Sequence, residues 1–191
     1  MKYSDNTINI LTTKSYKGIG RAWIFKNIRG NETVETIVSL LNKEVLNEYN
    51  TELVGGYEEP FYKTFRKDDS AQIQFTRDYI RSAFHELAHW CVAGVERRNI
   101  DDYGYWYAAD GRSQLQQDEF FKVEIRPQTI EWAISIVAGV GFEASVDNLN
   151  NSVDGVEEFN NNLKTLMHTF LNKGFPIRVT KVLKTIARLK G

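Results

Sequence analysis

Apolar residues recur at three- and four-residue spacing along much of the chain, the pattern of helices with one buried face. The clearest case runs from about Thr76, a plausible N-cap, to Val95. The same spacing predicts a helix over residues 33–46, and further helices are predicted over residues 113–121, 127–140, 156–172 and 177–189. Pro127 is read as the first turn of its helix, a position where proline is tolerated.

Strand-like alternation is limited to short stretches. It predicts strands at residues 61–62 and 71–75, and a short extended piece at 123–125. Residues 55–60 contain two glycines and a proline and are read as a turn-rich link. The expected fold is therefore α+β, a mostly helical single domain with a small sheet. We assign that domain to residues 32–191 and treat residues 1–31 as an accessory N-terminal extension.

Composition and charge narrow the function classes. The 191 residues carry a net charge of −1, which gives no reason to expect direct nucleic-acid binding or an anionic membrane partner. The longest apolar stretch, residues 132–142, is too short to cross a bilayer. Cys91 is the single cysteine, so no intrachain disulfide can form, and we expect a cytoplasmic protein. The basic residues between 173 and 190 form either a solvated face or a docking surface for an acidic partner.

Two of the three histidines lie in one turn of the best helix, in the run His85-Glu86-Leu87-Ala88-His89. Helical residues four apart project from the same face, so their imidazoles can converge on one metal ion. The remaining histidine, His168, stands alone in an apolar run and is read as a packing or surface residue. The alternative for the pair is a hydrogen-bonded surface pair without metal.

Two imidazoles rarely suffice to hold a metal, so a third ligand is expected. A histidine at position 95 would complete one known zinc motif, but the residue there is Val95. Glu124 is the preferred candidate, because it lies between apolar neighbours where a carboxylate needs a partner. Glu131 and Glu143 are weaker candidates, and Glu131 could equally face solvent.

Two histidines and one carboxylate leave open positions on the metal and suit two chemistries. With zinc, Glu86 would act as general base on a bound water, which describes a metallopeptidase. With Fe(II), the open positions would serve oxygenation by dioxygen. The His-Glu-x-x-His spacing alone favours the peptidase, because this motif occurs most often in zinc peptidases. A binding module with a structural metal, or none, is a third possibility.

Several further motifs surround the histidine pair. They lie at residues 83–94, 103–107, 110–112, 123–128, 138–139 and 147–149. In this order they resemble the bacterial elongation factor P hydroxylase family, and the resemblance covers residues 33–191. It implies a non-haem iron enzyme with a zincin-like, zinc-peptidase-like core that hydroxylates a β-lysylated lysine of elongation factor P. Carried over, His85, His89 and Glu124 would bind Fe(II), dioxygen would be the cosubstrate, and Glu86 would handle protons. No feature identifies an organic cosubstrate.

An aromatic segment after the histidine helix is a candidate substrate entrance. Tyr105 and Trp106 would stack on the alkyl stem and ammonium of a long lysine derivative. Asp110 would pair with the ammonium, and Arg112 would support Asp110. The alternative is that these aromatic residues belong to the core and that the Asp-Gly-Arg run is only a turn.

Overall fold

The computed structural model describes residues 33–67, 69–104, 113–146 and 154–189. Within these segments the helices are α1 Val34–Glu44, α2 Ile80–Val92, α3 Gln114–Ala138, α4 Val156–Lys173 and α5 Ile177–Arg188. The strands are β1 Thr51–Tyr57, β2 Phe61–Lys63 and β3 Ala71–Thr76, and short 3-10 turns lie at Leu46–Tyr49, Arg97–Asn99 and Asp101–Gly104. The prediction of a mostly helical α+β fold with a small sheet is confirmed. The proposed extension at residues 1–31 lies outside the described residues.

The three described strands form one sheet in the order β1-β3-β2. β3 is parallel to β1 and antiparallel to β2. In β3 the side chains of Ala71, Ile73 and Phe75 are buried while those between them are not, which is the alternation of a half-buried strand. The predicted strands at 61–62 and 71–75 are confirmed.

The prediction of a turn-rich link over residues 55–60 is wrong for its first part, because β1 continues through Gly55 and Gly56. A Cβ atom on Gly55 would lie 2.6 Å from both the Phe75 ring and the Arg77 carbonyl oxygen. Glycine is therefore needed here for close packing against β3. The two glycines that suggest a turn in the sequence instead lie in a strand, and the first of them has no room for a side chain.

Helix α2 begins later than its apolar pattern predicts. Thr76 ends β3, Arg77 adopts a left-handed conformation with φ 47°, and Tyr79 occupies the N-cap position. The proposed cap at Thr76 is therefore wrong. The Thr76 amide instead donates to the Ser82 hydroxyl at 3.0 Å, which joins the strand to the first turn of the helix.

Helix α3 is one continuous helix, which corrects the prediction of an extended piece at 123–125 and a new helix at Pro127. Ser113 and Gln116 form a reciprocal capping box at its start. Pro127 lies in the helix interior, where its missing N–H deprives the Val123 carbonyl of its helical partner. Every residue from 127 to 138 is buried, so this half shows no polar face that would reveal a helix by periodicity.

The predicted C-terminal helices are confirmed as α4 and α5, and α5 packs its buried face into the main core. Three of its basic residues contact this same chain: Lys181 pairs with Glu48, Arg188 pairs with Glu44, and Arg178 donates to the Ala93 carbonyl at 2.6 Å. These contacts favour a structural use of this face over a docking surface. No helix in the described segments is both long and apolar enough to cross a membrane.

Candidate metal centre

Helices α2 and α3 bring together three side chains that could ligate a metal ion. The Nε2 atoms of His85 and His89 are 3.1 Å apart, as their four-residue spacing on α2 predicts. Glu124 on α3 reaches both of them, with its Oε1 3.2 Å from His89 Nε2 and its Oε2 3.7 Å from His85 Nε2. Among the described residues, this is the group of histidine, cysteine and acidic side chains whose ligand atoms lie within 4.8 Å of one another.

The three side chains fit a first-row metal ion in both chemistry and spacing. Two ligand atoms that each lie about 2.1 Å from one ion are separated by at most about 4.2 Å. The separations of 3.1, 3.2 and 3.7 Å satisfy this limit, with Glu124 reaching His89 through Oε1 and His85 through Oε2. Two imidazole nitrogens and one carboxylate suit both Fe(II) and zinc, so the donor set itself does not distinguish the two metals.

Glu131 holds His85 from the side opposite the proposed metal position. Its Oε2 lies 2.9 Å from His85 Nδ1, and the residue is only 5% exposed. Of the two possibilities considered for Glu131, the solvent-facing one is therefore excluded. A carboxylate on Nδ1 keeps the proton on that nitrogen and leaves Nε2 free for a metal. Sequence reasoning did not predict this role for Glu131.

Gln128 contacts Glu124 one helical turn further along α3. Its Nε2 donates to Glu124 Oε2 at 3.2 Å, and both residues are almost fully buried. Sequence reasoning missed Gln128, because the predicted break between residues 123 and 127 concealed its four-residue spacing from Glu124 on one helix. Glu124, Gln128 and Glu131 thus form a buried polar stripe on one face of α3.

The charges at this centre are strongly coupled. Burial would lower the pKa of His85, but the hydrogen bond to Glu131 and the charges of Glu124 and Glu86 outweigh it and raise that pKa to about 10. Burial would likewise raise the pKa of Glu124, yet His89, His85 and Gln128 hold it down to about 2. Positive charge between these carboxylates therefore stabilises the site, and either a proton on His85 or a bound cation can supply it.

A cavity of about 1160 Å³ opens onto the three side chains. Glu86 lies in its wall, and burial raises the pKa of the Glu86 carboxyl while the neighbouring histidines partly offset this rise. Carboxylates dominate the remaining polar lining. Besides Glu124 and Glu131, those in the wall are Glu59, Asp78, Glu86, Asp102 and Glu143. Among the described residues that line the cavity, Arg81 is the one that carries a permanent positive charge.

The other candidate residues from the sequence do not join the group of His85, His89 and Glu124 in the described part of the chain. Glu143 lies in the cavity wall with an exposed side chain and is not among the three convergent residues. His168 is partly buried on α4 and does not line the cavity, as its isolated position predicts. The four proposed substrate-binding residues, Tyr105, Trp106, Asp110 and Arg112, lie outside the described residues, so the entrance remains a prediction.

Comparison with known proteins identifies relatives over most of the chain. The family described as elongation factor P hydroxylase matches residues 40–190, which include all three convergent side chains. A curated relative from Haemophilus influenzae is called elongation factor P lysine hydroxylase. It is 40% identical over 154 residues, which cover 80% of this chain and 86% of the relative. Neither comparison supports a peptidase.

Proposed function

Because this chain belongs to the elongation factor P hydroxylase family, we propose that it hydroxylates a lysine side chain of elongation factor P. The observation that carries the proposal is the convergence of His85, His89 and Glu124 within the family region. We further propose that the lysine is the β-lysylated form and that the reaction takes place in the cytoplasm, where elongation factors act.

We propose Fe(II) as the metal that these three residues hold. Fe(II) with two histidines and one carboxylate keeps open coordination positions and supplies the redox chemistry that activates dioxygen. The overall reaction replaces a C–H bond by C–OH with one oxygen atom and releases the other as water. Two electrons and two protons come from an external reductant.

The residues of the site have distinct tasks in this proposal. Glu131 fixes the ring of His85 through Nδ1, so that Nε2 points toward Glu124. Glu86 lies beside both histidines, and burial raises the pKa of its carboxyl, which suits a group that exchanges a proton with the site. In a zincin-like core the same glutamate would serve hydrolysis, but the family places this chain among hydroxylases.

The charge of the cavity favours a cationic substrate. Five carboxylates besides Glu124 and Glu131 line it, and among the described lining residues Arg81 is the permanent cation. A wall of this charge attracts an ammonium group and repels acidic side chains. Lysine and its β-lysyl derivative carry ammonium groups on long, flexible stems, which matches a large cavity lined by carboxylates.

Mass spectrometry of elongation factor P tests the proposal directly. Purified β-lysylated factor is incubated with the Fe(II)-loaded protein, ascorbate and heavy-isotope dioxygen. We expect the modified lysine peptide to gain one heavy oxygen atom, because the oxygen must come from dioxygen. Incorporation from heavy-isotope water instead would contradict an oxygenase mechanism.

Two histidine variants provide a matched pair. His85→Ala removes a proposed ligand, and we expect it to abolish the oxygen gain. His168→Ala removes the histidine outside the cavity and should leave the gain intact. Equal activity of the two variants would refute the proposed metal site. Peptide cleavage by the zinc-loaded protein, with no oxygen gain by the iron-loaded protein, would restore the peptidase hypothesis.

A further inference from the structure

Gln128 makes three hydrogen bonds with its side-chain amide although it is 0% exposed. Its Nε2 donates to Glu124 Oε2 at 3.2 Å and to the Ser145 carbonyl at 2.9 Å. Its Oε1 accepts from the Ser145 amide at 2.9 Å. Both amide hydrogens and the amide oxygen are thus engaged, so the orientation of this side chain is fixed.

These contacts join a proposed metal ligand to a wall of the cavity. Residues 139–146, called here the return segment, follow α3 and contribute Glu143 and Ser145 to the cavity lining. The return segment lacks regular secondary structure. It is attached through side chains: Gln128 contacts Ser145, Gln117 donates to the Val146 carbonyl at 3.0 Å, and Arg81 donates to the Glu143 carbonyl at 2.8 Å.

We propose that Gln128 is a positioning residue that orients the Glu124 carboxylate for metal binding and couples it to the return segment. A carboxylate at the end of a flexible side chain has several rotamers, and one directed hydrogen bond selects among them. Because the same amide is held by Ser145, the orientation of the ligand depends on the position of the cavity wall. The inference rests on the proposed role of Glu124 as a ligand.

The experiment compares Gln128→Met with Gln117→Met, using Co(II) as the metal probe. Both substitutions remove a buried amide that contacts the return segment from α3, and methionine nearly preserves the volume. Only Gln128 also contacts Glu124. Co(II) affinity is measured by chelator competition, the visible Co(II) spectrum reports the ligand geometry, and thermal unfolding of the metal-free protein reports stability.

We expect Gln128→Met to weaken Co(II) binding about 10- to 100-fold and to alter the spectrum, the usual effect of losing a contact behind a metal ligand. Gln117→Met should lower thermal stability to a similar extent while keeping wild-type affinity and spectrum. Unchanged affinity and spectrum in Gln128→Met would overturn the proposal. So would equal loss in both variants, which would indicate that attachment of the return segment is all that matters.

Methionine nearly preserves the volume of the Gln128 side chain, so the variant should fold. If it does not, Gln128→Asn serves in its place. That side chain keeps the amide but is one methylene too short to span Glu124 and Ser145, so the same loss of affinity is expected. A folded Gln128→Asn protein with wild-type affinity would refute the inference. Failure of the wild-type protein to bind Co(II) would instead refute the metal site itself.

Discussion

The contact between Glu131 and His85 allows a quantitative test of how the metal site is built. Glu131 Oε2 accepts a hydrogen bond from His85 Nδ1 at 2.9 Å, and the carboxylate is almost completely shielded from water. Glu131→Leu removes this acceptor and leaves a buried N–H without its partner. Glu131→Gln keeps an oxygen acceptor of similar reach but removes the negative charge.

The size of the effect follows from the burial of the pair. The side chains of His85 and Glu131 are 28% and 7% exposed, so water screens their interaction only weakly. A hydrogen bond to a charged group in this setting contributes about 1.5–3 kcal/mol. At about 1.4 kcal/mol per tenfold change, this corresponds to roughly 10- to 100-fold in metal affinity. We expect that loss in Glu131→Leu and a smaller one in Glu131→Gln.

Glu143→Leu is the matched control, because Glu143 also lines the cavity but its exposed carboxylate is not among the convergent ligands. Co(II) affinity is measured for all variants by chelator competition at one pH. Glu143→Leu should stay within about threefold of wild type, since an exposed charge acts weakly at a distance. Equal losses in the leucine variants would show that cavity charge alone sets the affinity, and a loss confined to Glu143→Leu would make Glu143 a ligand.

Three further predictions concern the cavity, the core and the thiol. We propose that Asp102 in the cavity wall contacts the substrate ammonium. Asp102→Asn should then lower kcat/KM for the modified lysine about 10- to 100-fold, because the charge of that contact is lost. Asparagine also tolerates the left-handed conformation of residue 102, with φ 51°, and wild-type kinetics would exclude Asp102 from substrate binding. Leu41→Ala in the core, where Leu41 is 0% exposed, should lower the free energy of unfolding by about 2–5 kcal/mol in urea titration, and a loss below about 1 kcal/mol would contradict the packing. The Cys91 thiol is buried, and burial raises its pKa, so the native protein should resist alkylation until it unfolds; rapid labelling of the folded protein would contradict this placement.

Local sequence determined the elements whose pattern is complete within a few turns. Helices α1, α2, α4 and α5 each have one apolar face, so periodicity predicts them. The His85 and His89 pair is also local, because a helix places residues four apart side by side whatever surrounds it. The sequence therefore predicted that two of the three proposed ligands share one helical face, and it named Glu124 as the preferred third without fixing its position.

Tertiary structure decided what depends on contacts between distant segments. Glu124 lies on a helix that continues through Pro127, and only the packing of α3 against α2 turns its carboxylate toward the two histidines. Glu131 and Gln128 look like surface residues in isolation, and burial against α2 and the return segment makes them partners of the proposed ligands. Likewise β1 becomes a strand through its parallel pairing with β3. A residue's own neighbours in sequence set its local conformation, but the groups that compensate its charge can come from anywhere in the chain.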